Sequence, residues 1–139
     1  MIVVVNKYMK EAYKLACKAF NNDEVPVGAV IVKNDKIIGR GYNQKENKGC
    51  AIMHAEIIAI ISASRKIKDW RLDDTTMYVT LMPCDMCMAA IKAARISRVV
   101  YGVEKMSNYN LEHKLLVEKS DDDTAACGQI LKSFFINKR

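Results

Sequence analysis

The order of apolar patterns along the chain predicts an α/β protein. The expected architecture is a three-layer α/β/α sandwich, a central mixed sheet of about five strands with helices on both faces. Three observations predict it. Two strand patterns separated by a short polar turn form a hairpin near the N-terminus. After the hairpin, helix and strand patterns alternate, and alternation builds a sheet with helices packed against it. The chain has 139 residues, enough for one compact domain and too few for two ordinary ones, so residues 1–139 are read as a single domain.

The elements follow in order. Asn6 to about Asn21 reads as an amphipathic helix capped by Asn6. Its lysines (Lys7, Lys10, Lys14, Lys18) fall on a different face from Tyr8, Ala12, Leu15, Ala16 and Ala19. Asn21-Asn22-Asp23 stops it. Val27–Val32 and Lys36–Tyr42 are the hairpin strands, joined at Lys33-Asn34-Asp35. Asn43–Ile52 is rich in turn formers and reads as a loop. His54–Ile67 is a helix whose Ile57, Ile58, Ile60 and Ile61 point several ways, which predicts burial on most sides. Trp70 lies in the link to a third strand, Thr76–Leu81. Asp85–Ala94 is a helix and Arg98–Val103 a fourth strand. Met106–Lys119 fits a loop followed by a short strand or a helical turn. Asp121-Asp122-Asp123 reads as a helix-start signal, and Thr124–Phe135 as the final helix.

Composition excludes several classes. Half of the residues are hydrophobic, and two prolines and six glycines do not make a low-complexity chain. No run approaches the roughly 18 apolar residues of a membrane span. Met1-Ile2-Val3-Val4-Val5 lacks a charged leader and does not read as a signal peptide. Five cysteines, two of them in a C-x-x-C, favour a metal site in a reducing compartment over a secreted disulfide framework. A cytoplasmic protein is therefore expected. The net charge of +6 includes groups at Lys92, Arg95 and Arg98 and at Lys132, Lys138 and Arg139. Such charge suits a solvated surface and also a polyanionic partner.

The chemistry is carried by His54-Ala55-Glu56 and, downstream, by Pro83-Cys84-Asp85-Met86-Cys87. A histidine and two cysteines three apart supply three zinc ligands and leave a fourth position open, which is what activation of water requires. Cys84 and Cys87 are i and i+3 at a helix start, so both sulfurs face one side, where free N–H groups favour thiolates. Glu56 stands beside the metal without binding it, placed to take a proton from water and pass it on. A structural zinc clamp would need a fourth protein donor, such as His113 or a third cysteine, and no second C-x-x-C or H-x₃-H is present. A redox C-x-x-C would leave His54 and Glu56 unexplained.

H-x-E with P-C-x-x-C is an established signature of zinc nucleobase deaminases. The chain resembles the cytidine-deaminase-like superfamily, and within it the bacterial tRNA-specific adenosine deaminases. The similarity covers Glu24 to Val103: Glu24-Val25-Pro26-Val27-Gly28-Ala29-Val30, Gly41-Tyr42-Asn43, His54-Ala55-Glu56-Ile57, Trp70-Arg71-Leu72, Thr76–Leu81 and Arg95–Gly102. Leu131-Lys132-Ser133-Phe134-Phe135 resembles that family's last helix. Guanine deaminases share part of this pattern. The resemblance implies one Zn²⁺ per subunit on His54, Cys84 and Cys87, with Glu56 as catalytic proton shuttle. It implies a base held by Asn43 and the Ala55 N–H, with Val27, Met53, Pro83 and Lys105 around the substrate. It also implies a homodimer acting on the wobble adenosine of a tRNA anticodon loop. A free nucleobase or nucleoside, of guanine or cytosine type, is the alternative substrate, and a non-catalytic zinc-stabilised RNA-binding protein the contrasting class. The chain departs from the family pattern at Ala51-Ile52-Met53, at Met82 and at Glu104–Asn110, all where the substrate or the wall of its site would lie.

Overall fold

The structure, a computed structural model, describes residues 6–104, 116–121 and 124–137. Helix α1 (Lys7–Asn21) starts where expected: Asn6 Oδ1 accepts the Tyr8 and Met9 N–H groups at 2.8 and 3.2 Å. Strands β1 (Gly28–Lys33) and β2 (Lys36–Tyr42) form the antiparallel hairpin. Asn34 and Asp35 turn it in the left-handed region, with φ of 51° and 63°, which these residue types tolerate. Then come α2 (Lys45–Lys48), α3 (Ala55–Ile67), β3 (Thr76–Leu81), α4 (Asp85–Ala93), β4 (Arg98–Val103), β5 (Leu116–Lys119) and α5 (Ala125–Asn137).

The five strands make one mixed sheet in the order β2-β1-β3-β4-β5. β1 is antiparallel to both of its neighbours, whereas β3, β4 and β5 run parallel. Successive residues of β1 bury on opposite faces. Ala29 and Ile31 meet the alanines of α3 and Met88 and Ile91 of α4, while Val30 and Val32 meet Met9 and Ala12 of α1. The sandwich is therefore as expected, with α3 and α4 on one face and α1 on the other. α5 lies beside α1, where Phe134 meets Phe20 edge-on at 6.5 Å.

Two expectations are corrected. The segment Asn43–Ile52 is not loop throughout, because Lys45–Lys48 form one helical turn. Helix α3 is not buried through its isoleucines. Its buried residues are Ala55, Glu56, Ala59 and Ala63, and Ile61 is exposed. The reason is close approach to β2. A Cβ placed on Gly41 would stand 2.2 Å from the Ala55 carbonyl oxygen and 2.6 Å from the Ala59 nitrogen. Helix and strand touch backbone to backbone, so the larger side chains flank the contact instead of filling it. Of the ambiguous Met106–Lys119 stretch, Leu116–Lys119 is a strand and residues 106–115 lie outside the described residues. Asp122 and Asp123 of the acidic run also lie outside them.

At the far end of α3 the chain turns through Lys68 and Asp74, both left-handed (φ 58° and 57°). Trp70 is exposed there, with the Arg71 guanidinium over its ring at 4.6 Å.

Candidate active site

Both halves of the motif sit at helix N-termini on the same face of the sheet. His54 is the N-cap of α3 and Cys84 the N-cap of α4. His54 Nδ1 lies 3.7 Å from Cys84 Sγ and 3.6 Å from Cys87 Sγ. All three donor atoms lie within 4.8 Å of one another, and among the described residues the group comprises these three. The donor set fits zinc: two soft sulfurs and an imidazole. The spacing fits as well. Bonds of about 2.3 Å to sulfur and about 2.05 Å to nitrogen give a tetrahedron N···S edges of about 3.6 Å.

Glu56 stands in the first turn of α3 and is buried, 4% exposed. Burial pushes the Cys87 thiol well above its ordinary value, and the negative charges of Glu56 and Cys84 push it further. A divalent cation between these groups reverses that balance, since it stabilises the thiolate its neighbours oppose.

A cleft of about 490 Å³ opens onto His54, Glu56 and Cys84. Asn43 and Val27 line it. Asn43 Oδ1 accepts the Ala55 N–H at 2.8 Å, which fixes the amide in the cleft wall and occupies the donor expected to meet the base. Met53 and Pro83 are not on the wall. The Met53 carbonyl instead accepts the Gln44 N–H at 3.0 Å, and Pro83 is fully buried next to Cys84. Lys105 lies outside the described residues. Met82 and Glu104, two of the departures from the family pattern, are on the wall, together with Lys45 and the apolar Val25, Leu81, Leu131 and Phe135, which the motifs had not assigned. Phe135 is 56% exposed at the mouth. The Phe-Phe ending was the available signal for it, whereas nothing local marks Lys45.

A family model described as MafB19-like deaminase matches residues 5–139. The chain belongs to this deaminase family. The deaminase is 44% identical over 142 residues to a tRNA-specific adenosine deaminase of Buchnera aphidicola subsp. Schizaphis graminum, a match covering 95% of this chain and 94% of the relative. Among solved structures it is similar to one from work on A-to-I editing by tRNA:A34 deaminases at the wobble position of transfer RNA. That match has a TM-score of 0.75 and 34% identity, over 81% of this chain and 96% of the other. It is also similar to the X-ray structure of guanine deaminase from Bacillus subtilis, with a TM-score of 0.68 and 28% identity over 97% and 98% of the two chains. The deaminase fold expected from the motif is thus met by the sheet order, by the family match and by these relatives.

Proposed function

We propose that this deaminase hydrolyses the wobble adenosine of a tRNA anticodon loop to inosine. The observation that carries the reading is the arrangement of His54, Cys84 and Cys87 around one point, with Glu56 buried beside it in an open cleft. The 44% identity to a tRNA-specific adenosine deaminase supports the choice of substrate. His54, Cys84 and Cys87 would hold one zinc per subunit. When bound, zinc supplies Lewis acidity that lowers the pKa of water from about 15.7 to about 7.

The remaining work falls to the chain. Glu56 takes the proton that water gives up as its oxygen adds to the ring carbon bearing the amino group. It hands that proton to the neighbouring ring nitrogen, and then carries a proton to the amino group as ammonia leaves. This is the role known for the glutamate of zinc nucleobase deaminases. Asn43, held by its bond to Ala55, turns its remaining amide donors to the base. The apolar wall at Val27, Leu81 and Met82 excludes water from the ring. Phe135, exposed at the mouth, offers a stacking surface to an unpaired base beside the target.

The family resemblance also supports a homodimer. Met86 on α4 is 37% exposed and Ala89 is exposed, while Met88 and Ile91 of the same helix are buried, so α4 keeps an apolar flank for a second copy. Among the described residues no helix is long and apolar enough to cross a membrane, and the cysteine pattern supports a cytoplasmic location.

The test is incubation of the zinc-loaded protein with an anticodon stem-loop carrying adenosine at the wobble position. A parallel panel holds free guanine, cytosine, adenosine and cytidine. Inosine in the RNA is the expected product. Ammonia released from a free base, with no inosine in RNA at low salt, would replace tRNA with a small substrate.

A further inference from the structure

Glu24 is a buried carboxylate that the chemistry above does not use. It is 1% exposed and sits between the end of α1 and the start of β1. Its Oε1 accepts the Glu46 N–H at 3.0 Å. Its Oε2 accepts the Asn47 N–H at 2.7 Å and the Asn47 side-chain amide at 2.5 Å. All three donors belong to α2, the single helical turn that follows Asn43. A carboxylate is costly to bury unless hydrogen-bonded, so these bonds fix α2 to the core. Each is charge-assisted and stronger than a neutral bond. Gly49, left-handed at φ 58°, closes the turn.

What this anchoring holds in place is Lys45. The residue is exposed and lines the cleft. It is two residues from Asn43, within about 7 Å along the chain. Lys48 stands one turn on, with Glu46 between the two. The cleft's carboxylates are elsewhere: Glu56 is buried beside the ligands, and Glu104 accepts the Tyr101 hydroxyl at 3.0 Å. A nucleotide entering base-first with its ring at Asn43 leaves its phosphate at the mouth, and among the described residues the lysine on the cleft wall is Lys45.

We propose that Lys45 binds the phosphate of the target nucleotide and that Glu24 is the positioning residue that holds it there. This rests on the tRNA reading given above. The experiment measures inosine formation on the anticodon stem-loop across a salt series for the zinc-loaded wild type, Lys45→Ala, Lys45→Arg, Glu24→Gln and the Lys45→Ala/Glu24→Gln double variant. Lys45→Ala is expected to raise KM about 5- to 10-fold, with a smaller change in kcat, and to reduce the log–log salt slope by about 0.7 to 0.9. Lys45→Arg should keep the slope. Glu24→Gln should raise KM with zinc content retained, and the double variant should be no worse than Lys45→Ala, because both act through one contact. Should Glu24→Gln fail to fold, Asn47→Ala removes one of the three bonds from an exposed residue and is expected to raise KM in the same direction. A wild-type slope in Lys45→Ala, or additive effects in the double variant, would overturn the assignment while leaving tRNA as substrate. No inosine from the wild type on this RNA would overturn the tRNA reading and the assignment together.

Discussion

Gly41→Ala tests whether the catalytic geometry depends on how closely α3 lies on the sheet. The added Cβ would stand 2.2 Å from the Ala55 carbonyl oxygen and 2.6 Å from the Ala59 nitrogen. Both are backbone atoms, so no rotamer change relieves the clash. Side-chain carbons essentially never approach closer than 3.0 Å, so α3 must retreat by about 0.8 Å at its first turn. That turn carries His54 and Glu56, while Cys84 and Cys87 stay with α4. Overpacking of this kind costs about 1–3 kcal/mol in stability. A shift near 1 Å in a catalytic group lowers turnover by up to about 100-fold. The assay pairs urea unfolding with zinc content and deamination rate on one preparation. Lower stability, weaker zinc retention and a fall in rate should come together. Wild-type values in all three would refute the reasoning, because they would mean that the helix–strand contact does not set the ligand positions.

Glu56→Ala should retain zinc and fold while turnover drops at least about 100-fold, the usual scale for general acid–base catalysis; near-normal turnover would end the proton-shuttle mechanism. Cys84→Ala should lose metal and thermal stability together, since zinc affinity is partly folding energy, and a metal-free variant melting with the wild type would contradict that coupling. Burial pushes the Cys127 thiol from 9.0 up to about 11. The native state thus keeps this proton where the unfolded chain has lost it, so the contribution is intact below pH ~9 and is lost as pH rises toward about 11. Unfolding of wild type and Cys127→Ser across that range checks it: the wild type should show the steeper fall, and parallel profiles would count against it.

The grouping of His54, Cys84 and Cys87 was legible in the sequence because metal chemistry fixes short local patterns. Cys84 and Cys87 share one helical turn, and His54 and Glu56 share another. The fold was legible from alternation along β1, where Ala29 and Val30 already point to different layers. What sequence missed depends on distant partners. Four residues are too few to make a helix by propensity, and α2 exists because a carboxylate 22 and 23 positions earlier accepts its N–H groups. β5 was ambiguous because a parallel edge strand has no adjoining turn to announce it. Its pairing is set by β4, helped by Arg98 and Glu118 at 2.6 Å. The burial of α3 was misjudged because isoleucines dominate its composition, whereas Ala55, Ala59 and Ala63 make the contact.

Trp70 is the one tryptophan in the chain. It stands beyond the C-terminal end of α3, about 20 Å along the helix axis from His54, and its ring is exposed under Arg71. Intrinsic tryptophan emission is therefore optically blind to the cleft. A spectrum that stays constant while zinc or RNA is titrated carries no information about binding. The same isolation makes the protein a convenient host for a placed fluorophore: with Trp70 replaced by phenylalanine, a single tryptophan at position 135 would report occupancy of the mouth against a dark background.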